Sequence, residues 1–304
     1  MTSFDLPSDV ANDRPGTHAE PQRSTVRTRD GLDLALYRWP TSPSLAIPRA
    51  TLALAHGLAE HAGRYAPLAA RLNDAGIELV CVDLRGHGHS PGPRAWVDSI
   101  DDYLLDFEAL LGAAARPHVP FFLMGHSMGG TIAALYAAER LAHAAGDRQP
   151  PAGLILSSPA LAPGRDVPRW MIAASQLVSR VWPRYPAMKI DPVLLARDPA
   201  VVAANRNDPL VHHGAIPART GAQLLVAMTR IANARATISL PVLVFHGSDD
   251  KLTEPEGSRE FAGRVGSADC TLAIYEGSYH ETLNDLDRTR VIDALIDWIA
   301  ARLS

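Results

Sequence analysis

Cysteine is nearly absent: Cys81 and Cys270 are the only two in 304 residues, too few for a disulfide framework. Each lies in an apolar, strand-like run and is expected to behave as a small buried hydrophobe. No apolar run reaches the 18 or so residues of a membrane span. The opening residues, Met1-Thr2-Ser3-Phe4-Asp5, lack a basic region leading into an apolar core, so no secretory signal is expected and the protein reads as cytoplasmic. Basic residues are not in surplus either. With 29 Lys and Arg against 33 Asp and Glu, the net charge of -4 argues against nucleic acid as a partner. His56, His61, His87 and His89 lack carboxylate or thiolate at ligand spacing, so neither metal nor cofactor is expected. No repeat or low-complexity segment interrupts the chain.

What is present is ordinary for a soluble globular protein, at 47% apolar and 20% charged residues. Residues 1 to about 23, rich in Pro, Asp and Arg, read as a flexible tail. From Ser24 to Pro40 two strand-like runs flank the turn signal Asp30-Gly31. Continuous apolar runs at Ala50–Ala55, Ile77–Val82, Phe121–Met124, Gly153–Leu156 and Val242–Phe245 predict strands covered on both faces, and Thr271–Tyr275 predicts a further strand. Helical spacing lies between them, as in Tyr65, Leu68, Ala69 and Leu72, and a last helix is expected over Asp287–Arg302. Alternating strands and helices imply an α/β fold with a mostly parallel central sheet and helices on both faces. Ten of the 24 prolines fall between Pro159 and Pro241, so that block holds short helices with irregular joints. Its amphipathic stretches are Trp170–Val181 and Gly221–Ile238. The expected organisation is a core of residues 24–160 and 240–304 with a helical cap (lid) inserted at 161–239.

The chain is organised around Gly125-His126-Ser127-Met128-Gly129-Gly130. Strand, then Gly-x-Ser-x-Gly, then helix is the context of a nucleophile elbow. A serine projecting from so sharp a turn leaves no room for side chains two residues away on either side, and glycine supplies that room. Functional groups of such sheets gather at the carboxyl ends of the strands. His56-Gly57-Leu58, Ser127, Ser248-Asp249-Asp250 and Gly277-Ser278-Tyr279-His280 all stand at such ends. The order Ser, Asp, His suits Ser127 as nucleophile, His280 as proton carrier and an aspartate holding the imidazole. Asp249 and Asp250 compete for that last role. Backbone N–H groups of Met128 and Leu58 would hold the oxyanion. His126 is expected to pack, His212 and His213 to be solvated, and Asp83, Arg85 and Ser90 to tie their loop together.

With these residues in hand, the chain resembles the α/β-hydrolase fold and, within it, the monoacylglycerol lipase and lysophospholipase group. The resemblance rests on His56-Gly57-Leu58-Ala59-Glu60-His61-Ala62-Gly63-Arg64-Tyr65, on Asp83-Leu84-Arg85-Gly86-His87-Gly88-His89-Ser90 and on the elbow. Asn207-Asp208-Pro209-Leu210, Gly247-Ser248-Asp249-Asp250 and Tyr275-Glu276-Gly277-Ser278-Tyr279-His280 extend it over about residues 25–303. It implies Asp250 as the acid, three residues after the glycine, with Leu58 and Met128 as oxyanion donors. It also implies Arg64, Asn205 and Leu283 as substrate-binding positions at the glycerol end. Animal lipases of the group carry tyrosine and histidine at the last two. The expected activity is a serine hydrolase cleaving lipophilic monoesters, monoacylglycerols above lysophospholipids, through an acyl-enzyme. A short-chain esterase or thioesterase is the enzymatic alternative, and a non-catalytic binder on the same fold is the alternative from another class. In the cap, most of Trp170, Leu177, Val178, Leu224, Leu225, Met228 and Ile231 are expected to pack on the core. An exposed minority would make transient contact with a lipid surface.

Overall fold

The computed structural model describes residues 20–42, 45, 47–141, 149–164 and 168–303. The expected tail, save for residues 20–23, lies outside them, as does Gly146, near which the helix after the elbow is expected to end. The first two strands, β1 (Gln22–Arg27) and β2 (Asp33–Trp39), pair antiparallel. β1 starts two residues before Ser24, where the expected core began. Then come β3 (Ala50–Ala55), α1 (Ala66–Asp74), β4 (Ile77–Val82), α2 (Ile100–Ala114), β5 (Phe121–His126), α3 (Met128–Glu139) and β6 (Gly153–Ser157). After a long excursion the pattern resumes with β9 (Val242–Gly247), α7 (Pro255–Ala262), β10 (Cys270–Tyr275) and α8 (Arg288–Ala300). These strands form one eight-stranded sheet in the order β1-β2-β4-β3-β5-β6-β9-β10. β2 meets β4 antiparallel, and every pairing from β4 to β10 is parallel. The fold is thus α/β with a mostly parallel sheet, as the continuous apolar runs require.

Alternation along β3 shows how the two faces differ. Ala50, Leu52 and Leu54 join the cluster formed with α1 and α8, whereas Ala53 and Ala55 join the one formed with α2 and α3. Alanine on the second face keeps it flat, so α3 comes down close to the strand. A Cβ on Gly129 would lie 2.1 Å from the Ala55 carbonyl oxygen, and one on Gly125 would lie 2.0 Å from that of Gly129. Real side chains do not fit at such distances, so these two glycines are a packing requirement. α2 begins with a capping box in which Ser99 and Asp102 satisfy each other's backbone N–H groups, and Asp101 and Asp102 occupy its positive end.

The proline-rich block holds α4 (Arg169–Val181), β7 (Pro186–Met188), α5 (Pro199–Asn207), β8 (Ile216–Pro217) and α6 (Ala218–Ala234). α4 and α6 match the two expected amphipathic stretches, although α6 starts and ends earlier. The antiparallel β7–β8 pair is too short to show a period. α5 did have a local signal: Asp198 accepts from the Ala200 N–H and Pro199 follows as the first helical residue. Cys81 is fully buried, but Cys270 on edge strand β10 is only half-buried. Among the described residues no helix is long and apolar enough to cross a membrane.

Candidate active site

Ser127 occupies the turn between β5 and α3 with φ 52° and ψ -117°, a conformation that strains any residue but glycine. The surrounding backbone holds it there. Its N–H donates to the Ser157 carbonyl at 2.9 Å, and its own carbonyl accepts from Thr131 and Ala160 N–H at 3.1 and 3.2 Å. The serine hydroxyl has no hydrogen-bond partner among the described residues and faces a cavity of about 1040 Å³.

Asp250 and His280 come from the loops after β9 and β10. His280 Nδ1 lies 2.7 Å from Asp250 Oδ2, with both side chains buried. Asp249, by contrast, is exposed and among the described residues meets only the Ser248 hydroxyl with its side chain, so it is Asp250 that stands on the imidazole. Asp250 Oδ1 accepts from the N–H groups of Leu252 and Thr253 at 2.7 and 3.0 Å. Oδ2 also accepts from Thr253 Oγ1 at 2.7 Å and from His246 Nε2 at 3.0 Å, while His246 Nδ1 meets Ser258 Oγ at 2.8 Å. Burial alone would raise the Asp250 pKa, but the two imidazoles and these hydrogen bonds hold the carboxyl far below its usual range. Burial likewise opposes charge on His280, and the Asp250 carboxylate together with Glu281 and Glu60 more than offsets it, so the His280 pKa is raised.

His280 and Ser127 line the same cavity, yet they form no hydrogen bond in this conformation. The imidazole–carboxylate half of the expected constellation is assembled and the hydroxyl–imidazole half is open. Catalytic hydrogen bonds often tighten only when substrate is bound. His126, expected to pack, is buried against the His280 ring at 4.8 Å between centroids and meets Ser157 Oγ at 3.0 Å. Burial and the neighbouring His280 push it down to about 4, so it is neutral at pH 7.

The loop after β3 brings Leu58 to the cavity wall opposite the start of α3. Neither the Leu58 nor the Met128 N–H donates to a protein acceptor among the described residues. The loop is braced on both sides. His56 Nδ1 donates to the Gly57 carbonyl at 2.7 Å while its Nε2 accepts from the Leu84 N–H at 2.9 Å, and Glu60 accepts from the Gly57 N–H at 2.6 Å. Asp83 fastens the neighbouring loop through Ala62, His89 and Tyr37, with Ser90 donating to its carbonyl. Arg85 reaches Asp106 and Asp30.

The three positions expected at the glycerol end fare differently. Arg64 and the buried Asn205 both line the cavity. Leu283 does not: it is buried with Tyr275, Val291 and Leu295 in the core beside α8. The turn in which Asn284 and Asp285 donate back to the Glu281 carbonyl lets this apolar side chain enter the core, so its expected substrate contact is corrected. His212, expected to be solvated, is half-buried on the wall, and its N–H donates to the Ala59 carbonyl at 2.8 Å. Local pattern gave no indication of His246, Thr253 or Glu281.

Comparison with known proteins bears on this arrangement. The family described as Serine aminopeptidase, S33 (Hydrolase_4) matches residues 46–287. A monoacylglycerol lipase of Mycolicibacterium smegmatis is 37% identical over 258 residues, covering 84% of this chain and 90% of that protein. Rattus norvegicus monoglyceride lipase is 33% identical over 280 residues, 90% and 89% of the two chains. Among solved structures, Paleococcus ferrophilus monoacylglycerol lipase superposes with a TM-score of 0.77 at 31% identity, covering 88% of this chain and 99% of that one.

Proposed function

Since the chain belongs to the serine aminopeptidase S33 family of α/β hydrolases and resembles its monoacylglycerol lipases, we propose that it cleaves monoacylglycerols to glycerol and fatty acid through an acyl-enzyme on Ser127. It is a carboxylic ester hydrolase of the monoacylglycerol lipase type. The observation that carries the assignment of roles is Asp250 bonded to His280 on the wall of the cavity that Ser127 faces. In that reading Ser127 Oγ attacks the ester carbonyl and its proton passes to His280 Nε2. The N–H groups of Leu58 and Met128 hold the oxyanion of the tetrahedral intermediate. The intermediate collapses as His280 returns the proton to the departing alcohol, and a water activated by the same imidazole then releases the acid. Asp250 keeps the Nδ1 proton in place and stabilises the imidazolium. Arg64 and Asn205 belong to the wall that meets the alcohol portion. The reading includes a cytoplasmic setting, in keeping with two cysteines that are both free thiols.

Residues 161–239 act as a cap over this site. Met171 and Val178 on α4, with Tyr185 and Met188 beyond it, line the cavity and are also exposed, which places them at its rim. Trp170, Leu177, Val181 and Trp182 add apolar surface that faces solvent and suits transient contact with a lipid aggregate. Of the seven cap residues expected mostly to pack on the core, Leu224 and Ile231 on α6 are buried, whereas Trp170, Leu177 and Val178 are exposed. The interior wall of Ala174, Leu225 and Met228 offers an acyl chain an apolar surface. Profiling glycerol monoesters and p-nitrophenyl esters by chain length tests this: kcat/KM is expected to rise from short to medium and long acyl groups. A sharp fall beyond four carbons contradicts the lipase reading in favour of a short-chain esterase.

A pH dependence follows from His280. The imidazole must be neutral to accept the serine proton, and its pKa is raised above 6.5. Activity is therefore lost as pH falls through that raised value, and the acidic limb of the kcat/KM profile lies above pH 6.5. A limb well below 6.5 contradicts the assignment.

A further inference from the structure

Beside His280 the cavity wall holds three buried ionic side chains. Arg64 Nη1 donates to Glu60 Oε2 and to Glu281 Oε1, and its Nη2 donates to Glu281 Oε2, each at 2.7 Å. The three side chains are 11%, 8% and 4% exposed for Arg64, Glu60 and Glu281, and all line the cavity. Burial opposes ionisation of both glutamates, but the shared guanidinium wins and holds both pKa values below their ordinary value, Glu60 at about 2. Two carboxylates and one guanidinium leave this sector with one uncompensated negative charge. The other ionisable groups near it do not cancel that charge. Asp250 stays ionised beside the neutral His280 that catalysis requires, so it adds negative charge rather than removing it, and His126 is neutral. Lys189 and Lys251 also line the cavity, but both are exposed, where solvent and salt screen them.

The two glutamates are not equivalent. Glu60 Oε1 holds the Gly57 N–H and the Tyr65 hydroxyl at 2.6 and 2.8 Å, so it is engaged in bracing the oxyanion loop. With Arg64 it already makes a neutral pair. Glu281 is the surplus charge, directly after His280 in the chain, and among the described residues its one other side-chain hydrogen bond is from Asn284 Nδ2 at 2.9 Å. It also occupies both Arg64 nitrogens that would otherwise be available to an anion.

We propose that Glu281 sets the charge of the leaving group this enzyme accepts, admitting neutral polyol and cationic alcohols and rejecting alcohols that carry phosphate. The inference rests on ester cleavage at Ser127 as read above. A phosphate brought within about 6 Å of an uncompensated carboxylate, in a site of effective dielectric about 20, is disfavoured by about 30-fold or more even with Arg64 beside it.

The test uses the full chain and three esters of one acyl chain, all below their aggregation concentrations: a 1-acylglycerol, an acylcholine and a 1-acylglycerol 3-phosphate. In the wild type kcat/KM for the first two should agree within about tenfold, with the phosphate at least about 30-fold below the glycerol ester. Glu281→Gln should raise the phosphate-to-glycerol ratio about tenfold or more, while Glu281→Asp should not. Glu281→Gln should also move the acidic limb for the glycerol ester to lower pH, because the Glu281 charge supports protonation of His280. A wild type that cleaves the phosphate ester as well as the glycerol ester overturns the proposal without any variant. So does an unchanged ratio in a Glu281→Gln protein with native near-ultraviolet circular dichroism. If none of the three esters is cleaved and a fluorophosphonate leaves Ser127 unlabelled, the hydrolase reading itself has failed, which is a separate result from a failure of charge selection alone.

Discussion

Ser127→Ala is expected to lower kcat for a glycerol monoester by about 10⁵- to 10⁶-fold, because the acyl-enzyme cannot form without the hydroxyl. The same change should barely alter stability. The Ser127 hydroxyl has no hydrogen-bond partner among the described residues, so its removal orphans nothing. Alanine is no worse suited than serine to a φ of 52°. The midpoint of urea unfolding should thus correspond to a change within about 0.5 kcal/mol. An alanine variant retaining a tenth of the wild-type rate would mean that the nucleophile lies elsewhere.

The second large effect separates two adjacent aspartates. Asp250→Asn should lower kcat by about 10⁴-fold. Asp250 Oδ2 is the acceptor for His280 Nδ1–H, and an amide can keep the Leu252 and Thr253 N–H bonds only by turning its NH₂ toward the imidazole. His280 would then carry its proton on Nε2, the atom that has to receive the serine proton. Asp249→Asn should stay within about threefold of wild type, since an exposed side chain bonded to the Ser248 hydroxyl has no part in that geometry. Kinetics of the two variants with one p-nitrophenyl ester suffice. The reverse order of effects would reassign the acid.

Much of this arrangement is written locally in the chain. The elbow is legible because sterics demand glycine at 125 and 129, and the clashes that a Cβ would make there are with backbone, which cannot move aside. The buried strands are legible because a sheet covered on both faces has to be apolar throughout. The choice between Asp249 and Asp250 is not local: it depends on how the loop after β9 turns, and only the resemblance favoured the second. Glu281 is invisible to pattern for a related reason. Its partner Arg64 lies 217 residues away, and nothing in the spacing of either residue announces the pairing. Leu283 shows the opposite risk. A position carried over from relatives with a polar side chain there becomes, once it is leucine, part of the core. The short β7–β8 pair lacks the length for any period to show.

Acyl transfer at one serine is the claim on which everything else depends, and covalent labelling reads it most directly. Folded wild-type protein incubated with a fluorophosphonate should gain the mass of a single adduct, located by peptide mapping on Ser127, and should gain none after Ser127→Ala. His280→Ala should slow the labelling severely. Folded wild-type protein that takes up no adduct, or takes it up on another residue, would contradict the account.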